Sequence, residues 1–446
     1  MHKTSAIFLS PGARSWLLRW SLVSRAVLVL ALLFGLTITT ADAQSPRWWK
    51  GNLHTHSFWS DGDDYPEMIV EWYVNAGYDF LGLSDHNIML TGEKWTEVTT
   101  NRTRVTAFEK YLSRHGPTWV EVKEQNGKKL VRLKTLEEFR PLFEKPGKFL
   151  LVPCEEISAQ FEKSPIHINA SNLREFIPPQ GGNSVGEVLQ NNIDAVLEQR
   201  RRTGQPMVPH INHPNFIWAL TAEDIMLVRG EKFFEIYNGH PVTKDHGDEN
   251  HVSMERMWDI VLTRRLGELG LEVIWGTAVD DSHSYHTFKV GQPNPGRGWI
   301  MVRARQLTPE RLIAAMEAGD FYASTGVRLK DVQKTGRRIS LEVDPEPGLT
   351  YTTQFIGTRK GYDSTSRPVL DKDGKPMRAT RRYSKDIGTV LAEVKGTRTS
   401  YTLKGDEIYV RAKVTSSRPK VNPAFEGDQE CAWVQPLVLE RNTVKP

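Results

Sequence analysis

Gly51-Asn52-Leu53-His54-Thr55-His56-Ser57-Phe58-Trp59-Ser60-Asp61-Gly62 places two imidazoles two residues apart and a carboxylate five residues further on. In an extended chain, residues two apart project from the same face, so His54 and His56 can reach one cation together. Neither half of the motif is decisive alone, because Asp61 before Gly62 is by itself an ordinary turn residue. The surrounding chain decides the matter by repeating the pattern.

Four more clusters of ligand-type residues follow, each directly after a short apolar run. Ser84-Asp85-His86 follows Phe80 to Leu83, and Glu155-Glu156-Ile157-Ser158 follows Phe149 to Val152, with His167 eleven residues after Glu156. His210-Ile211-Asn212-His213-Pro214 follows Met207 to Pro209. The last, Asp280-Asp281-Ser282-His283, comes after Val273 to Trp275, and a further apolar run spans Phe233 to Tyr237. Twelve of the thirteen histidines lie between His54 and His286. Imidazoles and carboxylates gathered at successive strand ends have the composition of a metal site.

Between these strands the spacing predicts helices. Pro66 opens one that stops at Gly77, Ser184 with Glu187 forms a capping box for one ending at Gly204, and Thr308-Pro309 opens one closing at Gly319. Alternating strands and helices predict an α/β fold with a largely parallel sheet, and a β/α barrel would collect the strand ends on one rim. Residues 91–148 form a charged insertion with a hairpin about Asn126-Gly127, placed as a lid-like or substrate-selecting element. After about Gly326 short strands separated by Gly, Pro and Asp predict a small C-terminal β-sandwich over residues 328–446, with the polar, basic stretch Gly357 to Asp386 as a long mobile loop.

The first 43 residues differ from the rest. Lys3, Arg14, Arg19 and Arg25 precede or flank an apolar run from Ala26 to Leu36, and Ala41-Asp42-Ala43 supplies the small residues of a signal-peptidase site. A run of 11 residues is well short of the roughly 20 needed to cross a bilayer. The expectation is therefore a cleaved signal peptide, an exported (periplasmic or extracellular) mature domain over residues 44–327, and no stable membrane span. Cleavage lowers the formal net charge from +4 to +1, so charge gives no argument for a nucleic-acid partner. Cys154 and Cys431 are far apart and read as two unpaired, buried thiols.

The ordered set of motifs resembles the PHP (polymerase and histidinol phosphatase) superfamily over residues 48–327. The opening Gly-Asn-Leu-His-Thr-His-Ser and Phe321-Tyr322-Ala323-Ser324-Thr325-Gly326 are most similar to its exported metallohydrolases. The resemblance implies a distorted barrel of about seven β/α units holding two to three divalent ions. It assigns His54, His56, Glu156 and Asp281 to a first ion, with Glu156 bridging to a second held by His167 and His213, and Asp61, His86 and His283 to a third. The mixture of carboxylate and imidazole suits Zn, Mn or Fe. Glu156 is preferred to Glu155 because Ile-Ser follows it and alternation turns the pair to opposite faces. The His-Pro pair favours His213 over His210, and the Asp-x-His spacing favours Asp281 over Asp280.

The resemblance implies hydrolysis of a phosphoester by metal-activated water, with Glu156 and Asp281 at the catalytic centre and His240, His251 or His286 as general-acid candidates. Asp85, His210, Asp280, His286 and Arg297 are expected beside the ligands or against substrate, and Lys289 and Arg303 join Arg297 as candidates to clamp a second phosphate. The substrate classes are a small phosphorylated molecule or an oligonucleotide end, for which Phe58 and Trp59 could stack on a base. The same centre would serve a carboxylic or carbamic ester. A non-catalytic exported binding protein, with Trp433 in a glycan-recognising sandwich, is the alternative from another class.

Overall fold

A computed structural model describes residues 45–99 and 101–439, so the expected signal segment lies outside the described residues. The architecture is mixed α/β, dominated by one 13-stranded sheet. Its strands run in the order Trp275–Val279, Phe233–Asn238, Val208–Ile211, Ser164–Ser171, Leu150–Phe161, Phe80–Leu83, Arg47–Asn52, Trp299–Ala304, Phe321–Ser324, Gln429–Leu437, Glu407–Pro419, Tyr351–Arg359 and Thr389–Lys395.

This order has two free ends, so hydrogen bonding does not close the sheet into the expected seven-unit barrel. Parallel pairing joins Arg47–Asn52 to Phe80–Leu83, Phe80–Leu83 to Leu150–Phe161, and Val208–Ile211 through Phe233–Asn238 to Trp275–Val279. Elsewhere the neighbours are antiparallel, for a local reason. Leu150–Phe161 returns at once as Ser164–Ser171 through a tight turn with Glu162 at φ 52°, which leaves no room for a crossover helix.

The helices obey the sequence signals. Pro66–Asn75 begins on its proline and gives way to Gly77 at φ 73°. Val185–Thr203 is capped by Ser184, which accepts from the Glu187 N–H, and ends on left-handed Gly204. Pro309–Glu317 is capped by Thr308. The insertion contains the predicted hairpin, Val122–Gln125 with Lys128–Leu133 across Asn126 and Gly127, both at positive φ. Its residues Tyr111, Val131, Leu133 and Phe139 pack in one apolar cluster with Phe58, Trp59 and Tyr65. Tyr111 and Trp119 both donate to the buried Glu67 (2.6 and 2.8 Å), tying the insertion to the helix Pro66–Asn75 and the loop after His56.

Near the boundary expected at residue 327 the main sheet continues without a break, because Phe321–Ser324 pairs with Gln429–Leu437, Ala323 opposite Trp433. The sandwich character is nonetheless present. A separate sheet of Leu329–Thr335, Arg338–Val343 and Arg398–Thr402 shares an apolar core with the last strands through Ile339, Leu341, Phe355, Tyr401, Val410 and Val434. The Gly357 to Asp386 stretch does not run free. Arg378 donates to Ala219 O and Asp224 (2.6 and 2.8 Å), Tyr383 to Glu223 (2.8 Å), and Thr380 accepts from the Ala222 N–H. Cys154 and Cys431 are both buried and unpaired.

A buried ion pair fastens the helix Met254–Arg264 to the C-terminal strands. Asp259 accepts two bonds from the Arg411 guanidinium, each 2.7 Å, and a third from the Tyr409 hydroxyl at 2.7 Å. Removing one partner strands the other charge in the interior. Asp259→Ala should therefore cost about 3–5 kcal/mol of stability, read from the shift of the urea unfolding curve, whereas a loss near zero would mean that Arg411 finds water.

Candidate metal centre

Seven imidazoles and four carboxylates converge where these strand ends meet: His54, His56, His86, His167, His210, His213 and His283 with Asp61, Glu156, Glu235 and Asp281. Ladder-like bonds carry the chain into this region. The Asp281 N–H donates to His54 O, the His56 N–H to Ser282 O, and the Glu156 N–H to Asp85 O, so the motifs are held by backbone and not by loop flexibility. Asp281 takes up a positive φ of 49°, a strained conformation of the kind found at functional sites.

Glu156 is the hub. Its Oε1 lies 3.0 Å from His167 Nδ1, 3.3 Å from His213 Nε2 and 3.5 Å from His54 Nε2, while Oε2 lies 2.7 Å from His86 Nδ1 and 3.4 Å from His56 Nε2. Asp281 Oδ1 stands 3.2 Å from both His54 Nε2 and His56 Nε2. Asp61 approaches His283 Nε2 at 3.3 Å, His56 Nδ1 at 3.5 Å and His86 Nε2 at 3.6 Å. All nine ligands implied by the resemblance are brought together. Their grouping matches it for His54, His56 and Asp281 and for Asp61, His86 and His283, the latter joined by His56, while His167 and His213 fall in two groups that share Glu156.

The donor chemistry fits divalent cations. His54 Nε2, His56 Nε2 and Glu156 Oε2 are buried without hydrogen-bond partners, which is costly unless an ion engages them. Burial alone would raise Glu156, yet His86, His167 and His54 hold it well below the ordinary carboxylate range. Asp281 is likewise pulled well below by His54, His56 and His283 against burial. In turn, burial would lower His54, but Asp281, Glu235 and Glu156 hold it well above its ordinary value. The centre demands positive charge that no Lys or Arg in the cluster supplies.

Glu235 is the residue that sequence reasoning missed. Wholly buried in the strand Phe233–Asn238, it accepts from His54 Nδ1 (2.7 Å), His210 Nε2 (3.2 Å), the His213 N–H (2.7 Å) and Asn238 Nδ2 (2.9 Å). His54 therefore has Nδ1 engaged from behind and Nε2 free for a cation, the carboxylate–histidine arrangement that fixes a ligand's tautomer. Burial works against its charge, but His54 and His210 bring it down to about 2. The one available signal was a lone carboxylate inside an apolar run. His210 binds Glu235 and sits behind the ligands, in keeping with the preference for His213.

Other expected residues divide. Glu155 points away, as alternation required, accepting from the Ile177 N–H at 2.8 Å. Asp85 accepts from Ser57 and from Ser60 Oγ (2.6 Å), and Ser60 Oγ is 3.3 Å from His56 Nδ1, so Asp85 steadies the loop more than an imidazole directly. Asp280 faces the other way, taking N–H groups of Gly296, Arg297 and Gly298 and the Tyr73 hydroxyl. Arg297 is fully buried and donates to the carbonyls of Gly239, Lys289 and Asn422, which removes it as a phosphate clamp. Arg303 is spent on Asp320 and Asp331, and Lys289 is exposed. Phe58 and Trp59 are core residues, 4% and 1% exposed, and cannot stack on a base.

Of the three acid candidates only His240 borders the cluster, its ring edge-on to His283 at 5.2 Å. Burial pushes it down to about 4 against the pull of Asp281. His251 is stacked on Trp218 and bonded to Asp248. His286 contacts Asp63 O, Asp64 and Lys110.

No family model matches the chain, and no curated protein matches it. The solved structures similar to it include two at 14% identity. One, a two-domain protein of Bacteroides vulgatus described as containing a predicted PHP-like metal-dependent phosphoesterase, aligns with 88% of this chain and 96% of its own at a TM-score of 0.37. The other, described as a metal-dependent phosphoesterase of Bifidobacterium adolescentis, aligns with 56% and 91% at 0.30. Likeness at this level carries no argument about the chemistry, which rests on the atoms just described.

Glu235→Gln keeps the shape but leaves one acceptor oxygen where two are needed, so its NH2 group must face either His54 and His210 or the His213 N–H and Asn238. Metal affinity, measured by competition with a chromogenic chelator, should fall about 10- to 100-fold. Unchanged affinity would mean that His54 is oriented by something else.

Proposed function

We propose that this protein is a metal-dependent hydrolase of the PHP type that cleaves phosphoesters with water at a centre of two to three divalent ions. The observation that carries the reading is Glu156, a buried carboxylate with five imidazoles within 3.5 Å of its two oxygens. His54, His56 and Asp281 would hold one ion with Glu156. His167 and His213 would hold a second on the same carboxylate, and Asp61, His86 and His283 a third. Divalent ions bound there supply Lewis-acid stabilisation of a phosphoryl oxygen and make water nucleophilic at neutral pH.

The chain's own residues do the rest. His240 Nδ1 accepts from the Val242 N–H, so the ring proton sits on Nε2 and the ring acts as a neutral hydrogen-bond donor toward a substrate oxygen. The general-acid role expected of it becomes a polarising one. Glu235 and Asn238 hold the site rigid, since Asn238 Nδ2 donates to both Glu235 and Asp281 (2.9 and 3.1 Å). Ser57 and Cys154 are poorly placed as nucleophiles. Ser57 is bonded to Asp85, and burial raises the Cys154 thiol to about 11. In this reading the enzyme is exported, for which the support is the basic, apolar and small-residue pattern of residues 1–43 in the sequence.

Hydrolysis in ¹⁸O-labelled water should place one heavy oxygen in the released phosphate, with no phosphorylated protein trapped by acid quench. A labelled phospho-enzyme would contradict direct attack by water. Cleavage of carboxyl or carbamic esters with no phosphoester turnover would overturn the substrate class while leaving the metal centre intact.

A further inference from the structure

Immediately after His213-Pro214 the chain makes a single 3₁₀ turn, Phe216-Ile217-Trp218, that departs from ordinary packing in two ways. Ile217 and Trp218 both take positive φ, 52° and 58°. A β-branched residue is strongly disfavoured in that region, and such strain persists where the surroundings enforce it for a purpose. Ile217 is also 62% exposed, although its neighbours on either side are partly covered.

The position of the turn is informative. The half-buried Phe216 ring lies 5.2 Å from the ring of His213 and 6.0 Å from that of His167, two of the three imidazoles around Glu156 Oε1. The turn is braced from outside. His251 stacks on Trp218 at 3.9 Å with the planes 3° apart, Lys244 Nζ lies 4.7 Å from the same ring, and Asn215 donates to Lys244 O and Val252 O. His251 is itself fixed by Asp248. A rigid frame thus holds a strained apolar turn against the imidazoles of the metal centre.

We infer that Phe216 and Ile217 form a platform for the alcohol half of the substrate, and that the substrate class is a phosphoester whose alcohol carries a planar apolar ring. This rests on the phosphoesterase reading above. It accounts for the exposed Ile217, for the strain, and for the bracing role of His251, which sequence reasoning had taken for an acid. It also suits a site whose Arg297 and Arg303 are committed to carbonyls and carboxylates and so are not available to a second phosphate.

Non-hydrolysable ligands separate binding from leaving-group reactivity. By calorimetry on the metal-loaded protein, phenylphosphonate should bind about tenfold more tightly than methylphosphonate. Phe216→Ala should reduce that preference to about twofold or less. Ile217→Gly should reduce it part of the way while the Tm stays at or above wild type, because glycine adopts this φ freely. Equal affinity for the two phosphonates in the wild type, or a preference that survives both substitutions, overturns the platform and leaves the phosphoesterase reading standing. Binding of neither phosphonate removes the phosphoesterase reading itself, and the platform with it.

Discussion

Keeping Glu156 charged in the interior requires positive charge around it, and Glu156 meets that constraint through five imidazoles drawn from four separate stretches of chain. His54 and His56 follow Asn52, His86 follows Leu83, His213 follows Ile211 and His167 lies within Ser164–Ser171, so the sheet must bring these four places together for the cluster to exist. The parallel pairs supply that alignment, and the antiparallel return of Leu150–Phe161 as Ser164–Ser171 sets Glu156 opposite Asn169, close to His167. Much of the remaining fold can be understood as support for this edge. Glu235 sits beneath His54, Asp85 steadies the Ser57 loop, and Asp280 knits the Trp275–Val279 end to the segment carrying Arg297.

The cost of such a centre is borne by its surroundings. The exposed Asp61 and the buried Glu156, Glu235 and Asp281 repel one another, and their field favours protons on His54, His86, His213 and His283, all four being raised above their ordinary values despite burial. A divalent ion replaces those protons with denser charge and satisfies the unpartnered nitrogens at the same time. Metal binding and the integrity of this edge are thus coupled, which explains why the surrounding framework is rich in buried polar bonds and not only in apolar contacts.

How much of this could be read from the sequence follows from what kind of signal each residue leaves. The nine candidate ligands could be picked out because their motifs, in order, resemble those of the PHP superfamily, and Glu155 was separable from Glu156 because alternation in a strand is a geometric rule. Glu235 was not, since a single acid within Phe233–Asn238 gives no spacing to interpret. Arg297 read as a candidate phosphate clamp, but its guanidinium is consumed by the carbonyls of Gly239, Lys289 and Asn422, two of them far away in sequence, a long-range fact that no local pattern encodes. The same holds for Trp59, whose apolar partners belong to the insertion. Sheet closure failed for a related reason: strand direction depends on how connections fold back, and the two-residue turn Glu162-Lys163 after Phe161 has no glycine or asparagine to mark it.

The central claim is that Glu156 organises a multinuclear metal centre. Anomalous diffraction at the metal edge, from crystals of protein grown with manganese or zinc, tests it most directly. The account predicts two or three peaks grouped around the Glu156 carboxylate, one of them bounded by His54, His56 and Asp281. A map with a single peak there, or with none near Glu156, would contradict it.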